Sequence, residues 1–204
     1  MSDIEIRRGL PRGQEQAAAR LYDAAFGRKM QAIIPDPAKR QALLADCFEH
    51  DLAFVALQDG AVVGLAGFHF EKRAFTSGGG LRALFRHLGV LGGLWSLVGF
   101  TFLLRLPKPG ELLMDGIAVD ARCRGKGAGT RLLRALIRFA ADQGLKSVRL
   151  DVIDTNPRAR ALYEREGFLA GRTQSGGRFT RRLFGFESAT EMHRPITAAD
   201  RDLG

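Results

Sequence analysis

The sequence predicts a mixed α/β (α+β) fold, and three observations carry that prediction. The first is a strand, a glycine-rich basic loop and a helix in immediate succession, from Glu111 to Asp142. The second is the element order before that unit: strand, helix, helix, strand, strand, with Asp59-Gly60 as the hairpin turn between the last two. The third is the order after it, a strand, a capped helix and two further strands. A chain of 204 residues with these elements is long enough to bury one real core, which is the reading for residues 1–204 as a single domain.

Taken in order, Ile4 to Arg8 alternates and reads as a first strand. Gln14 to Phe26 places Ala17, Ala18, Leu21, Tyr22, Ala25 and Phe26 on one helical stripe. Pro35 and Pro37 punctuate, and a second helix from about Ala38 to His50 carries Leu43, Leu44, Cys47 and Phe48 inward. Leu52 to Gln58 and Ala61 to Phe70 are the two hairpin strands. Glu111 to Val119 is apolar at Leu113, Ile117 and Val119 and reads as a buried strand. The helix behind the loop buries Leu132, Leu133, Leu136, Ile137 and Ala140, turns Arg131, Arg134 and Arg138 outward, and stops at Gly144. Ser147 to Asp154 alternates as a strand. Asn156 caps the next helix, which has Pro157 at its first position and ends at Gly167. Phe168 opens another strand, Thr190 to Ile196 reads as the last, and residues 197–204 as a frayed tail.

The loop from Arg122 to Gly129 has the composition of an anion site. A strand followed by a glycine-rich turn and a helix aims free backbone N–H groups and a positive helix end at one point. Gly125, Gly127 and Gly129 lack a Cβ and let the backbone approach an anion closely, while Arg122, Arg124 and Lys126 surround it with positive charge. A Walker loop does not fit, because Lys126 is followed by Gly127 and not by Ser or Thr. A Rossmann loop does not fit either: Gly125 stands well beyond the strand end at Val119, and Thr130 occupies the third glycine's place. What fits is Arg-x-x-Gly-x-Gly, as Arg124, Gly127 and Gly129.

That pattern, within IAVDARCRGKGAGTRLL, resembles the pyrophosphate loop of the GNAT superfamily of N-acetyltransferases. A second stretch, DVIDTNPRARALYEREGF from Asp151 to Phe168, is similar to another signature of the same superfamily. The resemblance implies a mixed, mostly antiparallel central sheet with helices on both faces, splayed open between its fourth and fifth strands. It implies acetyl-CoA in that wedge as cosubstrate, with no metal. The pyrophosphate is expected on Arg124, Gly125, Lys126, Gly127, Ala128, Gly129 and Thr130, and the pantetheine arm along Ile117, Ala118 and Val119. A pantetheine arm contains two amides and can pair with a free strand edge as an added strand does. Gly116 marks a bulge that would open this edge. Asn156 is expected to cap its helix and to hydrogen-bond the pantetheine. Tyr163 is expected to protonate the departing thiolate, a phenol and a thiol being close enough in acidity for the transfer. For the general base, Asp115 is the candidate, with His69 and Glu71 at the end of the preceding strand and water chains as alternatives. The reaction implied is direct attack of a primary amine on acetyl-CoA in a ternary complex. The competing reading is an acyl-CoA-binding sensor or regulatory module without catalysis.

Glu71 to Pro109 is a helical insertion before the fourth strand. Thr76 to Gly80 reads as a hinge, Leu81 to Leu88 as a short basic amphipathic helix, and Leu88 to Leu104 as an uncharged run broken by Gly89, Gly92, Gly93 and Gly99. A single membrane span is excluded on topology, since the strands on either side belong to one sheet. The run carries too much apolar surface for water and reads as a flap over the acceptor side. Packing on its own domain is the foremost of three burials. A homodimer contact through residues 81–106 and a peripheral membrane contact, the latter not favoured, are the others.

The net charge of +9 calls for anionic partners, which the phosphates of coenzyme A satisfy locally. No aromatic-and-basic recognition motif supports nucleic acid. Two cysteines, Cys47 and Cys123, and four scattered histidines offer neither a disulfide framework nor a metal site. No leader pattern opens the chain, so a cytoplasmic location is expected.

Overall fold

A computed structural model describes residues 3–101 and 106–201. The elements in chain order are β1 (Glu5–Arg8), α1 (Glu15–Met30), α2 (Pro37–Cys47), β2 (Ala53–Gln58), β3 (Ala61–Phe70), β4 (Arg73–Ala74) and α3 (Gly80–Thr101). They continue with β5 (Glu111–Val119), α4 (Ala128–Asp142), β6 (Ser147–Ile153), α5 (Pro157–Arg165), β7 (Leu169–Ser175), α6 (Gly177–Phe184), β8 (Ser188–Pro195) and α7 (Ala198–Arg201). One sheet runs β1-β2-β3-β5-β6-β8-β7, with β4 attached to β3. Every pairing is antiparallel except β5 with β6.

Each face of the sheet has its own aromatic cluster. Phe54 and Phe68 meet Phe139 of α4 on one face. On the other face Tyr22 and Phe26 of α1 join Phe48 and Phe75, the last two stacked with centroids 4.3 Å apart. The α4 stripe is buried as its periodicity predicts, with Leu132, Leu133, Leu136 and Ala140 at no exposure. Asn156 accepts from the Ala159 N–H at 3.2 Å and caps α5, and Asp36 caps α2.

The α1–α2 pair is locked by a buried ion pair. Arg40 Nε lies 2.7 Å from Asp23 Oδ1, and the same guanidinium donates to the carbonyls of Ile34 and Pro35. Gln41 donates to the second Asp23 oxygen. A charge removed from water in this way is tolerable only while its partners remain.

The insertion has the break its glycines predict: α3 is two helical runs that meet at Gly89, where φ is 68° and ψ −179°. Its first half packs Ala83, Leu84 and Leu88 on Leu43, Ile33 and Ile34. Beyond Gly89, however, Val90, Leu91, Leu94 and Trp95 stand exposed and do not pack on the body of the protein. Residues 102–105, which carry Phe102, Leu103 and Leu104 of the expected flap, lie outside the described residues. No helix among the described residues is long and apolar enough to cross a membrane. Ser175 to Ser188, rich in Gly and Arg, contains α6. The tail expected to fray is α7 through Arg201, because Asp200 accepts from both Arg194 Nη atoms and from Thr197. Those donors lower its pKa to about 2.

Arg40→Met should leave Asp23 buried and unpaired and cost about 3 kcal/mol. Urea unfolding measures this, and a loss near zero would mean that the pair does not hold α1 to α2.

Candidate active site

The site begins where two strands part. β5 and β6 pair over only three positions, Glu111 with Ser147, Leu112 with Val148 and Leu113 with Arg149. Beyond them β6 keeps its partner β8 along its whole length, and β5 keeps β3, so a fork opens between β5 and β6. Arg149 sits at the crotch. Its guanidinium faces Glu111 at 3.2 Å and Glu191 at 3.4 Å and donates to the Leu106 carbonyl at 3.0 Å.

A bulge shapes β5 inside the fork. Gly116 pairs with Gly67 and Met114 with Phe68, which leaves Asp115 as the extra residue. Gly116 has φ 151°, and Phe26 lies where its Cβ would be. The bulge breaks the strict alternation along the strand, so that Leu113, Met114 and Asp115 all border one cavity.

The free edge of β5 follows from backbone parity. The Asp120 N–H donates to the Val63 carbonyl at 2.8 Å. Backbone groups alternate sides along a strand, so the N–H and C=O of Ala118 also point to β3, while those of Ile117 and Val119 point into the fork. Of the three expected edge residues, Ala118 is therefore the one whose backbone the sheet already uses.

The edge leads into the glycine loop. Gly125 and Gly127 take left-handed conformations, φ 78° and 80°, and Gly127 is the N-cap of α4 with no side-chain acceptor. The first N–H groups of α4 thus lack intrahelical partners. At Gly129 a Cβ would meet Leu162 at 3.5 Å, which places α5 against the loop. Ala128 is buried, and Arg124 and Lys126 are exposed. Arg124 Nε donates to the Val119 carbonyl at 3.3 Å. Arg122 differs from the expected free cation: it is paired with Asp120 at 2.9 Å, which holds the Asp120 pKa at about 2. Cys123 is buried and donates to Gln58 Oε1.

Tyr163, on α5, is 6% exposed and packs on Phe168 with ring centroids 5.9 Å apart. Burial drives its phenol well above the usual tyrosine pKa. Among the described residues nothing hydrogen-bonds its hydroxyl.

On the α1–α2 side of the fork lies a cavity of about 410 Å³. Its walls come from α1 (Tyr22, Phe26, Met30), α2 (Leu43, Leu44, Cys47), the segment from Ala74 to Ser77, β6 (Asp151, Ile153) and the start of β8 (Phe186, Ala189). His69 and Asp115 stand in it together, His69 Nε2 being 2.5 Å from Asp115 Oδ1. The other Asp115 oxygen is buried with no hydrogen-bond partner among the described residues. Glu71, the third base candidate, is not there: it sits exposed in the β3–β4 turn with φ 48°. The insertion contributes its root, Ala74 to Ser77, but no described side chain of α3. No group of His, Cys, Asp and Glu among the described residues is arranged for a metal ion.

Sequence reasoning misses the pairing of His69 with Asp115 and the roles of Asp151 and Tyr22 in the cavity. These residues come from four elements, and no spacing along the chain signals their meeting.

Comparison with known proteins adds the following. A family model described as the acetyltransferase (GNAT) family matches residues 16–168. The spermine/spermidine N(1)-acetyltransferase of Bacillus subtilis is 35% identical over 79 residues, 35% of this chain and 52% of its own length. The chain thus spans about half the length of that relative. Among solved structures, an N-acetyltransferase from Staphylococcus aureus superposes with a TM-score of 0.62 at 17% identity, covering 96% of this chain and 100% of the other. The ribosomal-protein-S18-alanine N-acetyltransferase from Escherichia coli gives 0.59 at 21%, covering 99% of each. At these identities the structures speak for the fold.

Proposed function

The chain belongs to the acetyltransferase (GNAT) family, and from that premise we propose that it moves an acetyl group from acetyl-CoA to a primary amine. The observation that carries the reading is the continuous donor track. The open edge of β5 at Ile117 and Val119 runs directly into an uncapped helix start at Gly127. A pantetheine arm pairs with the first as an added strand, and a pyrophosphate takes the N–H groups of the second. Gly125 to Thr130 supply those groups, and Lys126 and Arg124 supply charge. The amide of Asn156, whose oxygen caps α5, still has N–H donors for the pantetheine carbonyls.

The chemistry is a direct displacement. The acceptor arrives as an ammonium and gives a proton to His69. His69 Nε2–H donates to Asp115, so the imidazole Nδ1 is the accepting atom and Asp115 orients the ring and stabilises its cation. The free amine attacks the thioester carbonyl, whose oxygen is met by the Val119 N–H at the fork. The carbon–sulfur bond breaks, the thiolate takes the Tyr163 phenol proton, and the amide nitrogen sheds its second proton to water, from which the Tyr163 phenol is restored, while His69 gives its proton to solvent. A high phenol pKa keeps Tyr163 protonated, and the same dry surroundings raise the thiolate's basicity to match. Asp115, the base expected from the sequence, thereby becomes the positioning partner of His69.

Two variants test this. Gly127→Asp puts a side chain on a left-handed residue and a negative charge at the helix start, and should abolish acetyl-CoA binding in calorimetry while circular dichroism stays unchanged. Unaltered affinity would remove the loop from the donor site. Tyr163→Phe should lower kcat by roughly 10²-fold with donor affinity kept. A protein that binds acetyl-CoA but releases no thiol with any amine would instead be the sensor module.

A further inference from the structure

The cavity beside the fork also restricts what the acceptor is. Its walls are apolar: Phe26, Met30, Leu43, Leu44, Ile153 and Phe186. Cys47 adds to them, because burial pushes its thiol up to about 11 and leaves it neutral. Tyr22 is neutral for the same reason, with the charge of Asp115 adding to the effect of burial. Ser77 is already committed, donating to the Ala74 carbonyl at 2.8 Å and accepting its N–H at 3.0 Å. The other ionisable groups of the lining are Asp115 on β5, Asp151 on β6 and His69 on β3, all on the sheet that floors the cavity, and of these Asp115 has a buried oxygen without a partner among the described residues. Among the described residues no lysine or arginine lines it, although the chain as a whole carries +9.

Each of these facts excludes an acceptor class. An anionic acceptor, such as a sugar phosphate, would lose its hydration beside carboxylates with no cation to replace it. A polyamine needs carboxylates spread along its length, and here they gather at one side while the rest of the surface is hydrocarbon. Resting on the acetyltransferase reading above, we propose that the acceptor is a monoamine with an apolar body, an aralkylamine or medium-chain alkylamine. Its single ammonium sits against Asp115 and Asp151 at the sheet, and its hydrocarbon lies between α1, α2 and the start of β8. The unpartnered Asp115 oxygen is the group waiting for that ammonium. The head is thereby held beside His69, the group that takes its proton.

The test is a series of amines given to the full-length protein with acetyl-CoA and followed by thiol release. Ethylamine, butylamine and hexylamine should rise in kcat/KM by about fourfold per methylene. 2-Phenylethylamine should match hexylamine, and spermidine and glucosamine 6-phosphate should fall at least about tenfold below it. Spermidine or the sugar phosphate as the best acceptor, or a flat alkyl series, would overturn the acceptor class and leave the transferase reading standing. Hexylamine binding is measured separately by calorimetry without donor. Binding that strengthens with chain length but gives no thiol release keeps the cavity assignment and removes the transferase. Absence of both sinks the two together.

Discussion

Two neighbouring strands that stop pairing after three residues set the terms for everything around them. Backbone N–H and C=O groups are obligatory hydrogen-bonding groups, and leaving one buried without a partner costs about 1–3 kcal/mol. Beyond Leu113, β5 nevertheless leaves Ile117 and the Val119 N–H without a strand partner in the fork, the Val119 carbonyl being taken by Arg124. The divergence is built in from both sides. Arg149, buried at the crotch, ties Glu111 of β5 to Glu191 of β8, which fixes where pairing ends. The bulge at Asp115 then bends β5 away, and Phe26 fills the space that only a glycine at position 116 leaves. β6 meanwhile is fully occupied by β8 on its other edge.

The fork explains the distribution of charge and apolar surface. The end at Gly127 has a helix N-terminus and the exposed cations Arg124 and Lys126. The cavity end has carboxylates, an imidazole and hydrocarbon, without a lysine or arginine among the described residues. The two ends meet at the open edge of β5, and on the proposed reading the thioester carbonyl would lie there, with His69 taking the amine's proton and Tyr163 protonating the thiolate. The buried Asp23–Arg40 pair has its place in the same scheme, because it joins α1 and α2, which both line the cavity.

Much of this was legible in the sequence where a single segment contains the whole cause. The α4 stripe, the Asn156–Pro157 cap, the Asp59-Gly60 turn and the glycine loop each depend on neighbours along the chain, and the structure has them where expected. The bulge announced itself through Gly116. Features that depend on register between distant strands were not legible. Whether Ala118 or Val119 turns its backbone to the fork is decided by the pairing of Asp120 with Val63, and the His69–Asp115 contact is set by the register of β3 against β5 at the bulge. α6 was hidden by the glycines and arginines that surround it, although Phe179, Leu183 and Phe184 carry a helical spacing. The apolar run after Gly89 is where composition could not choose among burials: packing on the protein's own body is not what the structure has, since Leu91 is 86% exposed there.

The account stands or falls on the open edge of β5 as the place where the donor adds its strand. Amide hydrogen exchange, resolved by residue in NMR, reads that edge directly. In the free protein Ala118 should exchange slowly because β3 holds it, and Ile117 and Val119 should exchange fast. Saturating acetyl-CoA should slow Ile117 and Val119, together with the first amides of α4, and leave Ala118 as it was. Exchange at Ile117 and Val119 that does not change in a complex saturated by calorimetry would contradict the account.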